Sequence, residues 1–363
     1  MAKINCGVIG IGNCFAGLYQ GLEYYKRNPG RKIVGLMHEN MGGYSLQDVE
    51  FTSAFDVGKN KIGKSLDQAI MQPPNMVDWV KNMPPSKVVV KESPVLDGVG
   101  IYVQNKIDPV KNRDIAILRK EVLAEIASTK TKVLVNYLPV GSQKAVEWWA
   151  EIALESGCAF VNNMPVFIAS RPEWEAKFRK ANLPILGDDT KGMIGATIVH
   201  RTLARLCDER GAEIDSTYQI NVGGNTDFLN MKEQERLESK KISKTESVQS
   251  QLSKRLPDDK IYIGPSDFIP FLRNTKLAFI RVEGKMWADI PFNFELRLDV
   301  DDKANSAGIV IDAIRAAQIA LDRKVGGAVE GASAYLMKHP PKQFTDPEAR
   351  KAFDDFIAGK RER

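Results

Sequence analysis

Two lysines four residues apart, Lys240 and Lys244, stand in a charged stretch that follows the segment GGNTDFLNM (223–231). In a helix this spacing puts both ammonium groups on one face, while Lys241 lies about 100° around the axis from Lys240. Like charges so placed oppose each other by a few tenths of a kcal/mol, roughly. A bound anion turns that cost into a gain. The competing reading is a long charged helix with its lysines near the far end, solvated and favoured by the macrodipole. Upstream, Gly223 and Gly224 break the apolar strand pattern of Tyr218 to Val222, and Asn225, Asp227 and Asn230 follow as closely spaced polar groups. Histidine is scarce: only His38, His200 and His339 occur. Acid–base chemistry therefore rests on lysine, carboxylates or groups of a bound substrate, and a Ser-His-Asp triad is disfavoured.

A second chemical feature opens the chain. The apolar strand KINCGVI (3–9) runs into Gly10-Ile11-Gly12-Asn13 and a helix to about Lys26. Gly10 permits a tight turn, and Gly12 lets a pyrophosphate approach the backbone at the helix N-terminus. Phe15 replaces the third glycine of the dinucleotide fingerprint, and so bulky a ring is expected to push the helix away from the strand. Two acids compete for the ribose. Glu39 ends the apolar run Ile33 to Met37, and Asp56 ends the alternating strand VEFTSAF (49–55), ahead of the helix-like segment GKNKIGKSLDQAIM (58–71).

These groups need a scaffold, and the pattern supplies one. Prolines punctuate residues 71–112, where only KVVV (87–90) reads as a strand. Helices near 111–128, 143–156 and 172–181 then alternate with strands at 132–138, 158–162 and 184–188, which implies a parallel sheet with right-handed crossovers. Ligands of such sheets sit at the carboxyl ends of strands, where Asn136, Asn162 with Asn163, and Asp188 with Asp189 fall. Turn formation and N-capping account for the same residues. A helix at 192–210 leads to strands near 214–222, 260–263, 276–283 and 292–300, a mixed and mainly antiparallel set. Helices at 304–322 and 327–337 return to the first domain. The predicted fold is α/β: a Rossmann-like doubly wound sheet over 1–190 and 301–363, plus a second α+β domain over 191–300.

Composition narrows the classes. The 363 residues are 43% hydrophobic and 27% charged, with a formal net charge of +5. No basic block interleaved with aromatics suggests nucleic acid, and no apolar run is long enough for a membrane span. Cys6, Cys14, Cys158 and Cys207 contain no C-x-x-C pair. That argues against structural zinc and a disulfide framework, and suits a reducing cytoplasm. The start of the chain lacks a signal-peptide layout.

GGNTDFLNM followed by SKKISKT (239–245) resembles the signature of the myo-inositol-1-phosphate synthase family, also called inositol-3-phosphate synthases, in its prokaryotic branch. NYLPVGS (136–142), GDDTKGMIGAT (187–197), NSAGIVIDAIRAA (305–317) and ASAYLMKHPP (332–341) are similar to further blocks of that family, in family order and across nearly the whole chain. The resemblance implies conversion of D-glucose 6-phosphate to 1D-myo-inositol 3-phosphate, the first step of inositol and phosphoinositide lipid biosynthesis. In the family, C5 of the open-chain sugar is oxidised at the expense of NAD+, the C6 proton leaves, the enolate attacks the C1 aldehyde, and C5 is reduced again. Each step places negative charge on oxygen, which preorganised ammonium groups stabilise.

Carried over by position, the essential lysines fall on Lys240, Lys244, Lys276 and Lys338. The resemblance implies that Lys276 and Lys338 polarise the C5 oxygen or the aldehyde, while Lys240 and Lys244 serve proton transfer and the phosphate. Asp227 and Asp302 orient lysines, and Asn225, Asn230 and Lys191 join the substrate set. Gly10, Gly12, Asn13, Cys14, Asp56, Asn136 and Asp189 hold the cofactor, with Asn136 and Asp189 beside the nicotinamide. The family pattern puts its acid at Phe55-Asp56, which selects Asp56 over Glu39 and makes 38–48 an inserted loop near the cofactor. A homotetramer and a divalent or monovalent cation near the phosphate are implied as well, although no metal-ligand cluster is legible. Two departures stand out: Gly192 where the family has serine, and Phe15 where small residues follow the glycine loop. An NAD-dependent polyol-phosphate dehydrogenase that releases NADH, and a non-catalytic NAD-binding regulator, are the alternatives.

Overall fold

The near-continuous apolar run Ile4–Ile9 forms a strand inside a seven-stranded parallel sheet in the computed structural model, which describes residues 3–264 and 267–363. The sheet order is Gly327–Ala328, Pro184–Leu186, Ala159–Asn162, Val133–Asn136, Ile4–Ile9, Val49–Asp56, Lys91–Glu92. Strands buried on both faces need apolar side chains on both sides, which explains the uninterrupted runs. One face is covered by the helices Asn13–Arg27, Ala304–Asp322 and Asp346–Ile357. The other carries Ile115–Ser128, Gln143–Ser156 and Pro172–Lys180 around the fully buried Trp149.

Two features of this sheet position the chemistry. The chain reverses its direction of travel between Ile4–Ile9 and Val133–Asn136, so the crevice of a doubly wound fold opens beyond Gly10 and Tyr137. The register aligns Ile9, Asn136 and Asn162, which brings the polar strand ends to one edge.

The second sheet runs Ile261–Ile263, Glu213–Gly223, Thr275–Lys285, Pro291–Asp301, with Asp267–Phe268 also paired to Glu213–Gly223. The two long pairings are antiparallel and the short ones parallel, a mixed sheet as expected. Helix Ala196–Glu209 and helix Glu238–Gln249 cover one face through Ala204, Cys207 and Val248. Among the described residues no helix is long and apolar enough to cross a membrane.

Several local expectations fail. Residues 58–71 hold turns and only a short helix, Leu66–Ala69. The strand at KVVV reduces to a bridge between Ser65 and Val89, and pairing resumes at Lys91–Glu92. Ile33–Met37, the alternative set aside in favour of the Asp56 strand, is no strand, and the segment 38–48 does not line the cofactor cavity. It is clasped to helix Ala304–Asp322 by Arg315, which donates to the carbonyls of His38 and Tyr44 at 2.6 and 3.1 Å. Gly327–Ala328 is a seventh strand rather than a helix start. Phe15 is part of the core. Its ring is fully buried, edge-on to Phe51 with centroids 4.8 Å apart, a pair worth about 0.5–1.5 kcal/mol beyond burial.

Candidate active site

The glycine turn is shaped by close approach. Gly10 adopts φ +87°, and a Cβ there would lie 3.0 Å from the Tyr137 carbonyl oxygen. Gly12 caps helix Asn13–Arg27 without a side-chain bond to the first-turn amides, and a Cβ on it would meet nothing within 4 Å. Those amides border a cavity lined by Gly10, Gly12, Asn13, Cys14, Asp56 and Tyr137. Asn13 accepts from the Met76 amide at 2.8 Å, while its Nδ2 is buried without a partner. Open space over free amides and an orphaned donor fit the pyrophosphate of a dinucleotide. Asp56 also braces the turn: it accepts from the amides of Ile11, Val57 and Gly58 at 2.7, 2.8 and 2.8 Å. A carboxylate has about four acceptor directions, so one remains for a ribose hydroxyl.

The second sheet assembles the polar cluster. Lys276 lies opposite Gly223 in the register, and Asp302 follows the neighbouring strand. The two glycines are steric requirements: a Cβ on Gly223 would stand 2.4 Å from the Phe228 ring, and one on Gly224 would stand 2.4 Å from the Arg273 amide nitrogen. Asn225 caps helix Thr226–Asn230, accepting from the Asp227 and Phe228 amides, and its Nδ2 donates to Asp302 at 3.5 Å. Lys276 donates to Asp302 Oδ1 at 3.2 Å. Burial alone would raise the Asp302 carboxyl, but the Lys276 and Lys303 ammonium groups hold it well below the usual carboxylate range.

The lysine helix is Glu238–Gln249, so Lys240 and Lys244 occupy its first two turns rather than its far end. The macrodipole disfavours a cation in the first turn and so does not account for Lys240, and burial sets Lys244 apart from a solvated helix end. Lys240, Ser243, Lys244 and Ser247 share one face. Ser243 Oγ donates to Asp189 at 2.7 Å, and Arg201 donates to Ser247 Oγ at 3.0 Å. Lys338 donates to the other Asp189 oxygen at 2.8 Å and to the Thr190 carbonyl at 2.6 Å. Lys244 is buried and makes no ion pair among the described residues. Burial, and then the charges of Lys240, Lys276 and Lys338, push its pKa well below the ordinary lysine value. Lys241 is exposed.

One cavity is lined by Lys240, Lys244, Lys276, Lys338, Asp189, Asp227 and Asp302. Cys14, Tyr137 and Asp227 line both this cavity and the one over the glycine turn, so the two spaces meet there. The Tyr137 hydroxyl is buried without a partner at the junction.

Of the other expected residues, Lys191 lines the lysine cavity, while Asn136 and Asn230 support it from outside. Asn136 donates to Asn162, which donates to Asp188, a buried ladder across three strand ends with bonds of 2.8 and 2.6 Å. Asn230 donates to the Val140 carbonyl at 3.1 Å, away from the lysine cavity. The Lys191 amine is engaged by the Ala334 carbonyl at 2.7 Å, and burial with Arg201 nearby pushes it down to about 7. At Gly192 a Cβ would lie 2.7 Å from the Asn305 side-chain Nδ2, and Asn305 ties down Ile194 through bonds of 2.9 and 3.2 Å.

Sequence reasoning missed Lys303, Ser243 and Arg201. Ser243 carried a signal, since it lies three residues from Lys240 on the same helical face. Lys303 is fully buried and donates to Asp227 at 2.7 Å and Asp302 at 3.2 Å. Burial works against its charge, yet Asp227, Cys14 and Asp302 hold its pKa well above the ordinary value. Among the described residues no group of three or more His, Cys, Asp and Glu side chains is placed to hold a metal ion.

The geometry can be set beside known proteins. A family model described as myo-inositol-1-phosphate synthase matches residues 195–303, a segment that contains Asp227, Lys240, Lys244, Lys276 and Asp302. The chain is 46% identical over 362 residues to an inositol-3-phosphate synthase of Mycolicibacterium smegmatis, covering 98% of each chain. It is 46% identical over 362 residues to the inositol-3-phosphate synthase of Corynebacterium glutamicum, again covering 98% of each. A myo-inositol-1-phosphate synthase-related protein from Thermotoga maritima shares the fold at a TM-score of 0.82 and 24% identity, over 98% of both chains.

Proposed function

This chain belongs to the myo-inositol-1-phosphate synthase family, and from that premise we propose that it converts D-glucose 6-phosphate to 1D-myo-inositol 3-phosphate with NAD+ recycled in place. The observation that carries the reading is the junction of the two cavities, where lysines on separate elements converge beside the glycine turn. Gly10, Gly12, Asn13 and Asp56 would hold NAD+, which would supply an acceptor and later a donor of hydride for C5 of the open-chain sugar.

The protein's own groups do the rest. Lys276, oriented by Asp302, and Lys338, oriented by Asp189, are the polarising ammonium groups for the C5 oxygen and the C1 aldehyde. A preorganised donor of this kind is worth roughly 10²–10³ in rate. Lys244, with its depressed pKa and no counter-ion, is the group suited to take the C6 proton. The enolate then forms the C6–C1 bond, and the new alkoxide takes a proton from a neighbouring ammonium. Lys240, on the same helix face, faces the phosphate. The reading carries with it a homotetramer in the cytoplasm, a setting in which the four cysteines, all free here, stay reduced.

Incubation with glucose 6-phosphate and catalytic NAD+ tests the proposal. Inositol phosphate should accumulate in large molar excess over NAD+ without a matching rise in absorbance from NADH. Stoichiometric NADH release would replace this reading with a polyol-phosphate dehydrogenase.

A further inference from the structure

Asp227 opens a short helix and Asp302 follows a strand, yet their carboxylates converge on one point. Lys303 fills that point. Its Nζ donates to Asp227 Oδ2 at 2.7 Å, to Asp302 Oδ2 at 3.2 Å and to Cys14 Sγ at 3.4 Å, so its three N–H donors meet three partners. The side chain has no exposed surface. The fold delivers it deliberately in two respects. Asp301 accepts from the Lys303 and Ala304 amides, both at 2.9 Å, which locks the turn between strand and helix. The stem also passes Gly17 of the glycine-turn helix, where a Cβ would lie 3.1 Å from the Lys303 Cβ.

Two carboxylates that converge on one point need a positive charge between them, and here the ammonium supplies it, since Asp227, Asp302 and Cys14 are not themselves placed as a metal-ligand group. Without a positive charge at its centre, a buried carboxylate pair repels and one member takes a proton. Asp302 could then no longer hold Lys276 as an ion pair. We propose that the Lys303 ammonium is a built-in cation, standing between Asp227 and Asp302 where a metal, potassium or ammonium ion would otherwise be needed. A resident cation does not fit the same place, and the reaction at this site requires none. Lys303 is a positioning residue: it acts on the substrate through Asp302 and Lys276, and on the wall shared with the cofactor cavity through Asp227 and Cys14. The inference rests on the assignment of Lys276 and Asp302 to the active site.

Chemical rescue tests it. The full-length enzyme and its Lys303→Ala and Lys303→Met variants are dialysed against EDTA in tetramethylammonium buffer, then given ammonium, methylammonium, potassium or magnesium chloride at constant ionic strength. Thermal melts and turnover are both read. The unaltered enzyme should keep its melting temperature and its rate, within about twofold, under every condition. Lys303→Ala should lose roughly 10²-fold in kcat, as when a preorganised donor is removed. Ammonium or methylammonium should then raise its melting temperature saturably, by ligand linkage, and restore part of the rate. Lys303→Met, which fills the space without a charge, should not respond. Full activity of Lys303→Ala in tetramethylammonium buffer overturns the proposal, as does a folded, impaired Lys303→Ala that no small cation stabilises. Should neither variant fold, the unaltered enzyme decides alone: inactivation by EDTA and recovery with magnesium overturn the proposal, and indifference to both supports it. The melts do not depend on the substrate assignment, so absence of turnover on glucose 6-phosphate would count against the proposed function and not against this inference.

Discussion

Replacing Lys244 with Met or Gln should move stability and turnover in opposite directions. The amine is buried, carries no counter-ion among the described residues, and faces the charges of Lys240, Lys276 and Lys338. Its pKa in the folded protein lies well below the unfolded lysine value of about 10.4. Between those two values the unfolded chain binds a proton that the folded chain does not, so stability rises with pH across the window and the lysine is a net cost at neutral pH. Lys244→Met should therefore melt at the same temperature as the parent at pH 7, or higher, and should show a flatter rise as pH climbs toward the ordinary lysine value. Turnover should fall. At Lys240, which faces the phosphate, losing one charge-assisted hydrogen bond to an anionic sugar costs about 1.5–3 kcal/mol. That is about 10- to 200-fold in kcat/KM, and more where the group also moves a proton. Lys241, exposed on the same helix, is the control and should tolerate Gln within about 0.5 kcal/mol and about twofold in rate. The assay is steady-state production of inositol phosphate beside melts at several pH values. Equal and small rate effects at positions 240, 241 and 244 would refute the reasoning, as would a Lys244→Met variant that unfolds early.

Two further outcomes follow from buried groups. His200 is fully buried, with its ring nitrogens 2.8 Å from Thr217 Oγ1 and 3.3 Å from Gln219 Oε1, and burial pushes it down to about 4. Because the folded value lies below the unfolded one, unfolding takes up a proton and stability drops as pH falls from about 6.5 to 4, by roughly 3 kcal/mol in all. Urea titrations at both ends of that window should show the loss, and His200→Gln should flatten it. At Asp56, Ala removes both the brace on the Ile11 amide and the candidate ribose contact, so NAD+ affinity should fall by about tenfold or more and the preference over NADP+ should narrow. Fluorescence titration of the two cofactors reads this, with the exposed Glu39→Ala as the variant expected to change nothing.

The parts of the molecule legible in the sequence are those where one side chain pattern admits one solution. Apolar runs bounded by glycine or asparagine could only be inner strands of a parallel sheet, and four of them lie side by side. The lysines of the site were found through motif blocks, not through periodicity, because an isolated lysine at a strand start reads the same whether it faces a cavity or water. Lys303 shows the limit. In sequence, Asp-Asp-Lys after a strand is an ordinary solvated turn. What buries it is Cys14, nearly three hundred residues earlier, together with the missing side chain of Gly17. The insertion at 38–48 failed for a similar reason, since its anchor is Arg315 on a helix far along the chain. Residues 58–71 misled because a helical apolar spacing was interrupted by backbone bonds to the segment around Val88 and Val90, which no local pattern announces.

The placement of the lysine helix explains why the site attracts an anionic sugar rather than merely tolerating one. Leu237 caps the helix without a side-chain bond, leaving the first amides unpaired by any cap. Lys240 sits in that same first turn, where a cation is disfavoured by about 0.3–1 kcal/mol, and Lys244 adds like-charge repulsion one turn on. Left to its own propensities the segment would place these lysines elsewhere. It is held in position from outside: by Ser243 on Asp189, by Arg201 bridging Ser247 to Asp346, and by Val248 in the core of the second sheet. Asp189 is already engaged by Lys338 and Ser243, and Asp227 and Asp302 by Lys303 and Lys276, so no carboxylate is left to neutralise Lys244. A phosphate that enters meets the positive end of the helix and the Lys240 ammonium at once, a charge that no carboxylate pairs among the described residues.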